Sequence, residues 1–114
     1  MILSLLDKSD IVIQYDILDY KQWNSGYFFK IKAVVKNNCL LFIREYVDEK
    51  ERNYSYHWQN EDGNLIVRWD NSPYHKNVVS FPHHKHTAQG VCESREVTVE
   101  DVLLYINNEI ISDV

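Results

Sequence analysis

Apolar and polar residues alternate through two parts of this chain, and a turn signal interrupts each part. In residues 27–36, apolar side chains recur at every second position, with lysines at several positions between them. This period of two is typical of a β-strand with one buried face. An Asn-Asn pair follows, and Asn tolerates a positive φ better than most residues, which suits a two-residue turn. The pattern predicts a returning strand over residues 39–47, with Lys30 opposite Glu45.

A second hairpin is predicted over residues 54–70. Three aromatic side chains share one face of its first strand, and His57 lies on the other face. A two-residue Asp-Gly turn would place His57 opposite Arg68, whereas a four-residue loop would place it opposite Ile66. In both registers His57, Arg68 and Asp70 project from the same face, because shifts by two residues preserve the side of the sheet.

The rest of the chain supplies a framework for these hairpins. Residues 1–8 could form a short helix, and residues 11–18 alternate as a further strand. Residues 74–90 form a long connection, a feature that is more often functional than idle in a compact domain. Thr98 is a natural N-cap for a C-terminal helix, which has an apolar stripe at helical spacing: Val99, Val102, Leu103, Ile106 and Ile110.

These elements predict one α+β domain spanning residues 1–114. We expect an antiparallel sheet of about four or five strands, with a short N-terminal helix and a C-terminal helix packed on it. The chain has 114 residues and is 45% hydrophobic, which suffices for a single core.

Composition also indicates the cellular location of the protein. The apolar runs are far shorter than the ~20 residues that cross a bilayer, and the N-terminus lacks the basic leader of a signal peptide. Cys39 and Cys92 are isolated thiols, most simply reduced. We therefore expect a cytoplasmic protein with no membrane partner. The net charge of −5 reflects an acidic excess in residues 91–114, which we interpret as a solvated helix face.

All five histidines lie in residues 57–86, together with several aromatic side chains. Histidine exchanges protons near neutrality, so several on one surface allow paired general acid and base catalysis. An arginine or lysine can stabilise charge developing on a phosphate. The candidates are His57, His84 and His86 for proton transfer, Arg68 or Lys85 for the phosphate, and Asp70 to orient a histidine. If residues 83–86 are extended, His84 and His86 point the same way and His83 points opposite.

Two other interpretations of the histidines remain open. His57 could simply hydrogen-bond Asp70 or a backbone carbonyl. A His-x-His pair on a strand can also supply two metal ligands, with His57, His75 or Asp70 as a third. The metal signal is weak because histidine-rich segments bind metals adventitiously and no thiol pair assists. The sequence therefore favours chemistry without a metal or other cofactor.

Three sequence blocks carry a family resemblance: residues 54–59 (YSYHWQ), 68–73 (RWDNSP) and 81–86 (FPHHKH). In this order and spacing, they resemble the TumE family of prokaryotic toxin-antitoxin proteins over roughly residues 11–108. The resemblance implies a toxin encoded beside an antitoxin, which would be its protein partner. It also implies that Asn71, His75 and His83 are candidate binding residues, and Tyr74 is a fourth candidate because it can donate a hydrogen bond or stack. Tyr74 departs from the family pattern, in which two histidines often follow the proline.

The residues themselves suggest two functions. The first is an endoribonuclease, in which the 2′-hydroxyl of RNA attacks the adjacent phosphate with help from the histidine, arginine and lysine side chains. The second is a non-catalytic module that binds protein or RNA through a structural or metal-binding histidine cluster. The sequence leaves a homodimer open under either function.

Overall fold

A computed structural model of the protein describes residues 2–112. It contains one antiparallel sheet of seven strands that are hydrogen-bonded in chain order, with one helix before the sheet and one after it. The elements are α1 (Ile2–Lys8), β1 (Val12–Trp23), β2 (Gly26–Val35), β3 (Cys39–Val47), β4 (Arg52–Gln59), β5 (Leu65–Asp70), β6 (His84–Thr87), β7 (Gly90–Glu93) and α2 (Val99–Ser112).

The α+β class and the two terminal helices are confirmed, but the predicted number of strands was wrong. The two additional strands, β6 and β7, lie in and just after the segment that the sequence pattern assigned to a long connection. Each has only four residues, and β6 is a run of polar and charged side chains. Such a strand has no apolar alternation by which it could be recognised in the sequence. Its pairing with β5 holds it in the sheet.

The first hairpin closes one residue away from the predicted register. Residues 36–38 form the loop of this hairpin, which therefore has three residues rather than two. Val35 therefore pairs with Cys39, and Lys30 lies opposite Arg44 instead of Glu45. Both asparagines of the turn have positive φ, 67° and 58°, which agrees with the reason for expecting a turn there.

The core lies between one face of the sheet and the two helices. It includes Leu6 of α1 and the predicted apolar stripe of α2, of which Val99, Val102, Leu103 and Ile106 are buried. The start of α2 is capped as predicted, because the Asp101 amide donates to the Thr98 hydroxyl while the Thr98 amide donates to the Asp101 carboxylate.

The opposite face of the sheet carries no helix in the described part of the chain, and we call it the open face. Along β2 to β5 the buried residues, apart from Asp70, point to the helices. The residues between them point to the open face, where polar and charged side chains are mixed with apolar ones such as Val34 and Phe42. His57 pairs with Arg68, the first of the two predicted registers. The loop that closes this hairpin spans residues 60–64, and a bulge beyond Trp58 absorbs its extra length.

Candidate functional site

Three side chains form a row across the centre of the open face. His57 on β4 pairs with Arg68 on β5, and Arg68 pairs in turn with His86 on β6. Paired residues on neighbouring strands project from the same side of a sheet. An arginine is therefore flanked by a histidine on either side. His57 and His86, both candidates for proton transfer, therefore lie on the same face of the sheet.

Asp70 lies two residues after Arg68 on β5, so it projects from the same face of the sheet, and it is 4% exposed. Its carboxylate accepts hydrogen bonds from the Ser72 amide at 3.0 Å, the Ser72 hydroxyl at 2.9 Å and Arg68 Nε at 3.2 Å. Burial alone would raise the pKa of Asp70, but the bonds from Ser72 and the neighbouring His84 and Arg68 outweigh it, so the pKa is lowered. Asp70 is thus an anion that holds Arg68 in place.

His84 pairs with Asp70 across the β5–β6 ladder and is 1% exposed. Its Nδ1 lies 3.0 Å from the Pro82 carbonyl oxygen, which can only accept, so Nδ1 carries a hydrogen. The other nitrogen, Nε2, is 2.8 Å from Asp70 Oδ1 but is not aligned as a hydrogen bond. A lone pair and a carboxylate repel each other at this separation, and a proton on Nε2 or a cation shared with the carboxylate would relieve that repulsion.

The two histidines of the row both have lowered pKa values. Burial, together with the positive charge of Arg68, lowers the pKa of His57. Burial also lowers the pKa of His86, and His84, His75 and Arg68 act in the same direction, while Asp70, whose Oδ2 is 3.4 Å away, opposes them. Both rings therefore favour the neutral form more strongly than an ordinary histidine does.

The ring of His57 is fixed by its neighbours. Its Nε2 lies 3.1 Å from the side-chain oxygen of Gln59, and its buried Nδ1 has no hydrogen-bond partner in the described part of the chain. The ring of Phe42 packs against it edge-on at 6.1 Å. Gln59 must release Nε2 before that atom can exchange a proton with a substrate.

His75 brings a third imidazole to the edge of the site. Its ring centre lies 4.7 Å from that of His84 and 5.3 Å from that of His86. One ring nitrogen from each of the three histidines falls within 4.8 Å of the others. Three neutral imidazoles at this separation could hold a zinc-like ion with one open position. The carbonyl that orients His84 is the kind of outer partner that metal-bound histidines have.

Comparison with protein families gives a match to nearly the whole chain. The family model for the toxin TumE covers residues 2–113. The chain belongs to this family. No curated protein and no solved structure matches it. No helix within residues 2–112 is both long enough and apolar enough to cross a membrane.

Three of the candidates in this TumE-family chain lie away from the row, and a fourth, Tyr74, is strongly exposed. Lys85 pairs with Trp69 and lines a cavity beside α2, so it lies on the helix side and does not join the histidines. His83 also points away from them, as predicted, and its Nδ1 lies 2.9 Å from the Tyr54 hydroxyl. Asn71 bridges the backbones of Arg52 and Tyr54, and Tyr74 is 82% exposed.

Sequence reasoning missed Ser72 and Phe42 as neighbours of the site and gave Gln59 no role there. Ser72 holds Asp70 by bonds within one turn, which residue type alone does not specify. A usable signal did exist for Phe42. Extending the same-face argument from β4 to β3 would have placed Phe42 beside His57, because the two residues pair directly.

Proposed function

We propose that this TumE-family chain is the toxin of a toxin–antitoxin pair, held inactive by a partner antitoxin, and that it cleaves RNA in the cytoplasm without a metal. The family match supports the toxin role. The observation that carries the proposed reaction is the row in which Arg68 lies between His57 and His86.

The reaction suited to this row is attack of an RNA 2′-hydroxyl on the adjacent phosphorus. One histidine removes the proton from the 2′-hydroxyl, the new O–P bond forms, and the bond to the 5′-oxygen breaks. The other histidine, which must start protonated, donates its proton to that leaving oxygen, which leaves a 2′,3′-cyclic phosphate and a free 5′-hydroxyl. His86 suits this role better than His57, because Asp70 lies 3.4 Å from it and favours its charged form. Two strand spacings of ~4.8 Å separate the backbones of His57 and His86, which leaves room for a phosphate over Arg68.

Arg68 is placed to stabilise the charge of the transition state. Its Nε bonds Asp70, while its terminal nitrogens make no hydrogen bond to other residues within 2–112. The side chain is 40% exposed, so those nitrogens can donate to phosphate oxygens. Asp70 and the buried His84 act as positioning residues, because neither exposes enough of its side chain to reach a substrate.

A metal-binding histidine cluster without catalysis is the second candidate, and one observation favours it. The buried Nε2 of His84 faces a carboxylate without an aligned hydrogen bond, and a cation held there with His75 and His86 would satisfy it. A second proton on His84 meets the same need. Metal content of the purified protein and the effect of a chelator separate these possibilities.

The experiment that tests the proposal is expression of the gene with and without its neighbouring gene, followed by sequencing of cellular RNA ends. We expect growth arrest and new 5′-hydroxyl ends only without the neighbouring gene. His57→Ala and His86→Ala should each abolish the new ends, because one proton-transfer group contributes ~10²–10⁴-fold. His83→Gln is the matched control, since His83 lies on the helix side. Growth arrest that persists in both alanine variants, with intact RNA, would contradict the proposal.

A further inference from the structure

The open face carries three positive side chains beside the candidate site, one of which, Arg44, lies over the ring of Phe28 at 5.3 Å. Lys30 and Lys32 on β2 and Arg44 on β3 point away from the core, and Lys30 and Arg44 are exposed. None of the three forms an ion pair with another residue in the described part of the chain. Arg52, on the helix side, behaves differently, because it is paired with Glu45 and Glu96.

The nearest acids of β1 form no ion pair with these cations. Asp16 lies opposite Lys32 and Asp19 lies opposite Lys30, but neither pair approaches to ion-pair distance. Asp19 is instead paired with Lys21 at 3.8 Å. The acids thus border the positive strip at the edge of the sheet, and its centre over β2 and β3 stays positive in a chain whose net charge is −5.

The positive strip is continuous with the candidate site. Lys32, Phe42, His57, Arg68 and His86 occupy paired positions on five successive strands, a row roughly 19 Å long at ~4.8 Å per strand. A surface depression with a volume of about 350 Å³ joins Lys30 and Arg44 to His57 and Arg68. The half-buried ring of Phe42 lies midway, beside His57.

We propose that this strip is the binding track for single-stranded RNA that leads into the His57–Arg68–His86 row. Lys30, Lys32 and Arg44 contact consecutive phosphates, and a base stacks on Phe42, next to the phosphate that is cleaved. Base stacking on a side chain requires an unpaired base, which excludes duplex RNA. This inference rests on the proposed RNA cleavage, because it names the form of RNA and the path by which it reaches the same row.

Binding can be measured apart from cleavage with a mixed-sequence, single-stranded oligonucleotide in which every 2′-hydroxyl is methylated. This RNA cannot undergo attack by the 2′-oxygen, so fluorescence anisotropy reports binding alone. Lys32→Gln and Arg44→Gln should each weaken binding and lower the slope of log Kd against log salt by about 0.7–1. Phe42→Leu should weaken binding roughly tenfold while keeping the apolar packing. Lys8→Gln, on α1, is the control and should change neither quantity.

The outcomes for the track and for the proposed function are distinguishable. If wild-type protein cleaves RNA but the track variants bind and cleave normally, the track is wrong and the proposed function stands. If binding depends on Lys32 and Arg44 but ordinary RNA is never cut, the track holds and the protein is a binding module. A methylated duplex that binds as tightly as the single strand overturns the track, as does a Kd indifferent to all three substitutions.

Discussion

Asp70→Asn tests whether a buried anion organises the candidate site. The wild-type carboxylate accepts three hydrogen bonds, from the Ser72 amide, the Ser72 hydroxyl and Arg68, and lies 2.8 Å from His84 Nε2. Asparagine keeps the shape and one acceptor oxygen but loses the charge. A hydrogen bond to a charged group contributes ~1.5–3 kcal/mol, and replacing the charge forfeits part of several such bonds. We expect a loss of about 1–3 kcal/mol in the free energy of unfolding at pH 6.

The assay is urea unfolding at pH 6 and at pH 3.5, with thermal unfolding as a second measure. A loss of this size lowers the midpoint by about 4–12 °C in a chain of this length. Because the pKa of Asp70 is lowered by folding, its charge stabilises the protein above the unfolded pKa, and that contribution is lost as pH falls through the folded value. The difference in the free energy of unfolding between wild type and variant should therefore become smaller below pH ~4.

Asp16→Asn is the matched control, because Asp16 is an exposed acid on the same face of the sheet. It should change stability by no more than ~0.5 kcal/mol at either pH. If Asp70→Asn is as mild as this control at pH 6, or equally harmful at both pH values, the reasoning about a buried organising anion is refuted.

Three further predictions concern the core and the chemistry. Leu103→Ala should lower the free energy of unfolding by ~2–5 kcal/mol, because Leu103 is buried. An unchanged thermal midpoint would contradict the conclusion that α2 packs in the core. RNA cleavage should survive EDTA, whereas loss of cleavage with stoichiometric rescue by zinc would replace our proposal by the metal candidate. In single-turnover cleavage, the double variant His57→Ala with His86→Ala should be little worse than the worse single variant, because the two groups serve one reaction. Additive losses would mean that the two histidines serve separate features.

The sequence predicted the parts of the fold in which apolar periodicity and turn chemistry agree. The strands carrying His57 and Arg68, the face they share and the helix capped by Thr98 all follow from local patterns. The strand β6 does not, because its polar residues enter the sheet through pairing with β5. Its alternation still predicted correctly that His84 and His86 share one direction and His83 takes the other.

The candidate site was predictable as a set of residues but not as a division of roles. Lys85 was expected beside the histidines, yet its position between His84 and His86 on a strand sends it to the helix side. The almost fully buried His84 also has the ring of His75 4.7 Å from its own, and this contact spans a loop without periodicity. The clustering of candidates in the sequence therefore identified the region of the site. Only the strand pairing shows which histidines are accessible and which support them.

The most direct test of the central claim is the chemistry of cleavage by the purified protein. An RNA that the protein cuts is synthesised in two versions, one all-ribose and one with a single 2′-deoxy nucleotide on the 5′ side of the cut bond. The products of each version are analysed by mass spectrometry. We predict that the all-ribose strand yields a 2′,3′-cyclic phosphate and a 5′-hydroxyl, and that the deoxy strand stays intact at that bond. Cleavage of the deoxy strand, or products that carry a 5′-phosphate, would contradict the proposed attack by the 2′-hydroxyl.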